Sequence, residues 1–380
     1  MRCCHIHMSE DVGSGCEKHV AEKALILAQP QAPLVITTMA IPKPGPGDVL
    51  VKIKACALNP VDLGVQAKNI IPGVKFPTVL GLDAAGDVEE VGEGVNGFVK
   101  GERVFFPAEY GIERGGFQQY ALARAEFLGK IPNKISYAEA STIPLAFTTA
   151  AIPLLAANPV GAGLNPTFDP KINFEGEPAL VIAGGTSVGQ FAIQIYKYLN
   201  FNPIIVYASS KHTTYLTQTL GATHVVDRST IPLDNLPEEV KRITKDKPVT
   251  NIYVAQVFTP DATEVGYYKI LGRGGQMATA HPSPSIPTLK ESEDGSPDAN
   301  AEANGKKVYG VFASPSIEPN REFGLEMWKR LPELVKDGII KVTRVELLPG
   351  GLAAVSDALP RFMNGGVSGV KLVFNPQEVA

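Results

Sequence analysis

The chain has 380 residues, 44% hydrophobic and 19% charged, with a formal net charge of −4. That length exceeds one ordinary core and predicts two domains of globular composition. No block of Lys or Arg marks a nucleic-acid surface, and no apolar run is long enough to predict a membrane span, so neither partner is expected.

Three of the four cysteines, Cys3, Cys4 and Cys16, lie in the first twenty residues, and only Cys56 lies in the body of the chain. A disulfide framework is therefore not expected, which fits a reducing compartment. The N-terminus has no apolar segment of the secretory kind, so a cytoplasmic location is expected. Residues 1–21 read as a disordered tail. Its zinc-capable side chains, Cys3, Cys4, His5, His7, Cys16 and His19, form no C-x₂-C pair, and no metal site is expected there.

From residue 22 the pattern is strand-like. "DVLVKIKACAL" follows the turn "PKPGPG", and "TVLGLDAAGDVEEVG", "GERVFFPA" and "GGFQQYALA" read as further short strands between glycine turns. The character changes at "SYAEASTIPLAFTTAAIPLLA", a helical stretch with Ser136 as N-cap and Glu139 three residues on. Strands and helices then alternate: "PALVIA", "VGQFAIQIYKYL", "NPIIVYAS", "HTTYLTQTLG" closed by Gly221, "THVVD", "LPEEVKRITK", "NIYVAQ", "DATEVGYYKIL" and "GGQMATA". Strict alternation predicts a parallel sheet with helices on both faces. The polar stretch at 290–305 reads as a loop or insertion before the strand "KKVYGVFA". The helix "REFGLEMWKRLPELVKDG" follows. A final strand near "KLVF" has no place in the alternating sheet and is expected to return to the N-terminal domain.

The most informative local motif is "ALVIAGGTSVGQFAIQ". A buried strand ends at Ala183, and Gly184, Gly185, Thr186, Ser187, Val188 and Gly189 lead into a helix. Such a turn lets backbone N–H groups approach a pyrophosphate at the helix N-terminus. It is not a P-loop, because Gln190 stands where the phosphate-binding Lys would be. An acid that grips the ribose 2′-hydroxyl is expected about 20 residues further on. The segment "VYASSKH" has none there, and Ser209, Ser210 and Lys211 instead offer hydroxyls and a cation. NADPH is the expected cofactor, although Asp227 and Arg228 at the end of the third strand weaken the preference.

Taken together, "PGPGDVLVKIKACALNPVD", "GLDAAGDVEEVGEGV", "GERV", "GGFQQYALA", "STIPLAFTTA", the glycine turn, "LGATHVVD" and "GGLAAVSDALPRFMNGGVSGVKLVF" resemble the medium-chain dehydrogenase/reductase superfamily over residues 22–378. The resemblance implies an α/β fold in two parts. One is a discontinuous GroES-like β-rich catalytic domain over 22–143 and 318–380. The other is a Rossmann NADP-binding domain, a doubly wound parallel sheet, over 144–317. Zinc members of the superfamily carry a catalytic Cys and a His-Glu pair. Here Asn59 stands in the Cys region and Leu82–Asp83 replaces His-Glu, while "PAEYGIERGGF" holds no lobe of four Cys. The chain thus looks like the zinc-free branch of quinone oxidoreductases and enoyl reductases, and closest to fungal-type enoyl reductases. Some of those act in trans with polyketide synthases, which makes a synthase a candidate partner.

The activity this implies is NADPH-dependent reduction of an activated C=C bond in an α,β-unsaturated carbonyl or enoyl thioester, by a monomer or homodimer. By resemblance Asn59 and Thr149 lie at the catalytic cleft, Gly274 and Gly275 pass near the nicotinamide carboxamide, and Lys371 lies near the cofactor phosphates. One departure concerns the proton donor. Some enoyl thioester reductases place a Tyr soon after "NPVD", and residues 60–75 hold none. Tyr110, Tyr267 and Tyr309 are the candidates. Two other readings stay open: an NADPH quinone oxidoreductase of the same fold, and a non-catalytic NADPH-binding partner or sensor.

Overall fold

The structure is a computed structural model that describes residues 21–256, 261–280, 305–310 and 312–378. Residues 1–20 of the expected N-terminal tail, and most of the polar stretch at 290–305, lie outside the described residues, while Ala21, expected as the end of that tail, opens the first strand.

Among the described residues three sheets organise the protein. The first is small and antiparallel, with Ala21–Leu27 between Leu34–Ala40 and Thr78–Val79. The second has seven strands and is built around Asp48–Ala57, which pairs with Asp83–Val91 on one side and Lys371–Phe374 on the other. Alternate residues of Asp48–Ala57 are apolar, so one face packs inward while Lys52 and Lys54 stay half-exposed. Val373 stands opposite Ala57, and Phe374 opposite Cys56. The chain's last strand therefore does return to the N-terminal sheet.

The third sheet is parallel, with six strands in the order His224–Asp227, Ile204–Ala208, Ala179–Ile182, Val249–Val254, Leu271–Thr279 and Lys307–Gly310. That spatial order is the Rossmann order. Its central strands Ala179–Ile182 and Ile204–Ala208 are buried throughout, as expected where helices cover both faces. One apolar core joins Phe147, Phe191, Tyr196 and Trp328. A second fills the N-terminal sheets around Leu25, Ile53, Phe106 and Phe117.

The passage from one sheet to the other runs through Tyr137–Leu155. Ser136 starts it with the expected capping box, its hydroxyl accepting from Glu139 N at 3.2 Å. The segment is long and apolar enough to cross a membrane by composition, which corrects the expectation that no such run exists. However, 78% of it is buried inside the protein. The Pro144–Leu155 helix within it packs against the Ser187–Tyr198 helix of the parallel sheet through Phe147 and Phe191, whose ring centroids are 5.7 Å apart.

Candidate active site

The glycine turn forms because close packing leaves no room for side chains. A Cβ on Gly184 would sit 2.2 Å from Val206 Cγ1, and one on Gly189 2.7 Å from the Ala183 carbonyl oxygen. Thr186 caps the following helix, its hydroxyl accepting from Gly189 N at 3.1 Å. The amides of Ser187 and Val188, in the helix's first turn, have no intrahelical partner by geometry. Gln190 donates to the Gly185 carbonyl at 3.0 Å, and its buried Oε1 has no partner among the described residues. A cradle free of Cβ atoms at its glycines and open amides at the helix start fit the phosphate-bearing half of a dinucleotide.

Beside the turn lies a cluster of basic residues. Ser209, Ser210 and Lys211 follow the strand Ile204–Ala208, as expected. Ser210 does not stand free: its hydroxyl hydrogen bond is the leading cause that holds Asp227 down to about pKa 2, with Ser229 adding to it. His212, which follows Lys211, is buried against Gly185 and reaches Ser368 Oγ at 3.0 Å and Arg344 at 3.2 Å.

The second cluster is buried and lies between the sheets. Asn59 caps the Pro60–Lys68 helix, and its backbone N–H donates to Asp62 Oδ2 at 2.9 Å, with Pro60 preset for the first turn. The Asn59 amide donates to Asp83 Oδ2 at 2.9 Å and to the Ala57 carbonyl at 3.3 Å, while its oxygen accepts from Lys371 Nζ at 2.6 Å. An ion pair between Lys371 and Asp83 closes the triangle. The other Asp83 oxygen accepts from Leu145 N at 2.6 Å, at the start of the helix that carries Thr149. Thr149 donates its hydroxyl back to the Leu145 carbonyl at 2.7 Å, and its own carbonyl accepts from Tyr253 of the parallel sheet at 2.8 Å. Asn59, Asp83 and Lys371 are 5%, 0% and 4% exposed, so their charges are balanced internally rather than by water.

Asp62 extends this cluster. It also accepts from Gly81 N at 3.2 Å and from the Tyr110 hydroxyl at 3.1 Å. Burial outweighs these donors and pushes its carboxyl up to about 7, while Tyr110 is raised well above its ordinary value by burial and by Asp62. A cavity of about 440 Å³ opens beside Tyr110, lined also by Val74, Lys75, Pro77 and Ile112. Of the three candidate tyrosines, Tyr110 is the one held on the Asn59 helix. Tyr309, on the last strand of the parallel sheet, accepts from Asn158 at 2.8 Å, and Tyr267 is buried on the Asp261–Ile270 helix.

The alcohol dehydrogenase GroES-like domain family matches residues 45–133. A trans-enoyl reductase of Aspergillus flavipes is 31% identical over 365 residues, covering 92% of this chain and 98% of that protein. The chain belongs to the medium-chain dehydrogenase/reductase superfamily. Within it, the chain lies close to the fungal enoyl reductases: a trans-enoyl reductase of Aspergillus terreus is 37% identical over 212 residues, 54% of this chain and 67% of that one. An alcohol dehydrogenase superfamily protein from Novosphingobium aromaticivorans has the same fold, with a TM-score of 0.74 at 23% identity over 93% of this chain and 99% of that chain. The protein is thus an oxidoreductase of a family that uses a nicotinamide cofactor.

Two expectations about this medium-chain oxidoreductase need correction. Lys371 was expected near the cofactor phosphates, yet its ammonium turns to Asn59 and Asp83, because strand pairing with Asp48–Ala57 places it in the N-terminal sheet. Gly274 and Gly275 were expected near the nicotinamide. Gln276 pairs with Asn251 and Thr279 with Val254, so these glycines sit where the parallel strands begin. The glycine turn lies at the opposite edge, where the strands end and where such sheets bind ligands. The Asn59 amide, for its part, has both N–H groups engaged, on Asp83 and the Ala57 carbonyl.

Sequence reasoning also missed His212, Arg344, Asp62 and the bridging role of Asp83. Asp62 had a local signal, the N3 position of a capping box. Arg344 had none. Among the described residues no group of three or more His, Cys, Asp or Glu is placed to hold a metal ion. The donor set itself fits zinc poorly: Leu82 is no ligand, the Asn59 amide is committed, and Asp83 is neutralised by an ammonium.

Proposed function

We propose that this protein is a zinc-independent, NADPH-dependent reductase of activated C=C bonds. The observation that carries this reading is the buried Asn59–Asp83–Lys371 triangle, which fixes an ammonium donor, its charge balanced by Asp83, at the positions where zinc members of the superfamily carry their metal ligands. NADPH would lie with its phosphates on the glycine turn and would supply the hydride. Addition of hydride to the β-carbon of an unsaturated carbonyl moves the C=C electron pair toward the carbonyl oxygen and forms an enolate. An ammonium has three N–H groups. Among the described residues Lys371 uses two, on Asn59 and Asp83, which leaves one for the enolate oxygen. Direct reduction of an unactivated ketone concentrates charge on one oxygen and benefits more from a Lewis acid.

Tyr110 is the proposed source of the α-carbon proton. Its hydroxyl lies on Asp62, whose carboxyl near 7 can hold the replacement proton. The names of the fungal relatives support an enoyl substrate, and a polyketide synthase product fits that chemistry. Cytoplasm remains the proposed location. The test is NADPH oxidation with enals, enones, enoyl-CoAs and quinones, with product analysis using 4R- and 4S-deuterated NADPH. Deuterium on the β-carbon of a saturated carbonyl supports the reading. An allylic alcohol deuterated at the former carbonyl carbon overturns it. Turnover of quinones alone selects the quinone reductase reading, and no hydride consumption at all selects a binding protein.

A further inference from the structure

His212 occupies an unusual position for a side chain so close to a phosphate-binding turn. A Cβ on Gly185 would lie 3.0 Å from its ring, and one on Gly369 would lie 2.5 Å from its Cε1. The ring therefore fits between two residues without side chains, one from the glycine turn and one from the C-terminal segment. Its tautomer follows from its partners. Arg344 can only donate, so the Nδ1 it touches at 3.2 Å must be an unprotonated acceptor. The ring proton then sits on Nε2 and is donated to Ser368 Oγ at 3.0 Å. His212 is held neutral, and burial, Arg344 and Lys211 all lower its pKa.

The surroundings are basic. Lys211 precedes His212 on the same turn. Arg344 comes from the segment leading into the strand Val345–Leu348, donates to the Gly369 carbonyl at 3.1 Å and lies 4.2 Å over the Tyr215 ring. It has no carboxylate partner among the described residues. The nearby acid, Asp227, is occupied by Ser210 and Ser229. Among the described residues, two cations without a carboxylate partner and a neutral imidazole thus flank a turn that already fits a pyrophosphate.

We propose that Arg344 and His212, together with Lys211, recognise the phosphate on the adenosine ribose of NADPH, and that His212 takes up one proton from solvent as the phosphate binds. On binding, the Arg344 guanidinium turns from Nδ1 to a phosphate oxygen. The freed Nδ1 accepts the proton, and the imidazolium donates to the same dianion. This rests on the NADPH reading and names the residues that would enforce it.

Titration calorimetry at pH 7.5 in buffers of different ionisation enthalpy tests it, because the phosphate, with its second pKa near 6, is then already mostly dianionic. Wild type is expected to absorb a sizeable fraction of one proton per NADPH and close to none per NADH. His212→Asn should abolish that uptake. Arg344→Met should weaken NADPH about 10–100-fold, the range of a charge-assisted contact, and change NADH less than about threefold. Unchanged NADH affinity shows that each variant is folded, and Arg344→Lys should retain part of the preference. A clear NADPH preference with no proton uptake, or with uptake that survives in His212→Asn, would overturn the proposal. So would a preference untouched in Arg344→Met. Equal affinity of wild type for NADH and NADPH would instead bring down the NADPH reading beneath it.

Discussion

The two clusters of this oxidoreductase handle charge in opposite ways. Around the glycine turn, Lys211 and Arg344 lie exposed, and no carboxylate answers Arg344 among the described residues. Around Asn59 every charge is buried and paired, with Lys371 on Asp83 and Asp62 on three donors. A site that must capture a dissociable anion needs charge that water can reach and the ligand can neutralise. A site that must stabilise a fleeting charge needs dipoles and ions that do not reorganise. The difference teaches which substitutions should unfold the protein and which should only empty it.

The largest effect is expected at Lys371. Lys371→Met leaves Asp83 buried without its countercharge, which costs about 3–5 kcal/mol. Urea melts should show that loss. Lys371→Met with Asp83→Asn should recover most of the stability, since neutral groups replace both ions, yet enone turnover should stay low with NADPH affinity within about threefold of wild type. A stable double variant with full turnover would reduce the triangle to a structural brace.

A second break uses pH. Burial raises the Asp62 carboxyl from 3.8 to about 7 in the folded chain. Between those values the folded state keeps a proton that the unfolded state has released, so this group's contribution is fully present below about 3.8 and lost as pH rises through 7. The loss is of order 2–4 kcal/mol. Asp62→Asn should flatten the fall in urea midpoint across that window. An identical fall in wild type and variant would mean that another group is responsible.

These two predictions could not have been drawn from sequence patterns alone. The parallel sheet and the glycine turn were legible because each rests on short-range signals: apolar runs, glycines at a turn, a cap three residues before its partner; the Rossmann architecture came only with the family resemblance. Asn59 meets Lys371 across 312 positions and Asp83 meets Lys371 across 288. No periodicity encodes such a meeting; it depends on the last strand's register against Ala57. Gly274 and Gly275 misled for a related reason. A glycine pair beside a strand looks the same at either end, and only the pairing shows which edge it occupies.

A third, smaller effect belongs to the exposed cluster. Lys211→Ala should narrow the NADPH-over-NADH gap by about 10-fold or somewhat more, the lower part of the charge-assisted range. Asp227→Asn should widen it, because it removes the negative charge that now holds Ser210. Raising salt should weaken NADPH binding in wild type more than in Lys211→Ala. Parallel changes for both cofactors would place Lys211 away from the phosphate.

The smallest effect is expected at Thr186, and it separates the two regions most cleanly. Its hydroxyl accepts from Gly189 N at 3.1 Å and donates to the Ala183 carbonyl at 2.9 Å. Thr186→Ala removes a helix cap, which costs about 1 kcal/mol, well below the loss at Lys371. The freed Gly189 N–H then joins the open amides of the helix start and can face a bound phosphate instead. NADPH should therefore protect the variant against urea at least as well as it protects wild type, so the stability gap should shrink when cofactor is present. Melts with and without saturating NADPH measure both numbers. If the gap widens with cofactor, the Thr186 hydroxyl is itself a ligand contact rather than a cap, and the turn holds its phosphate by side chain as well as backbone.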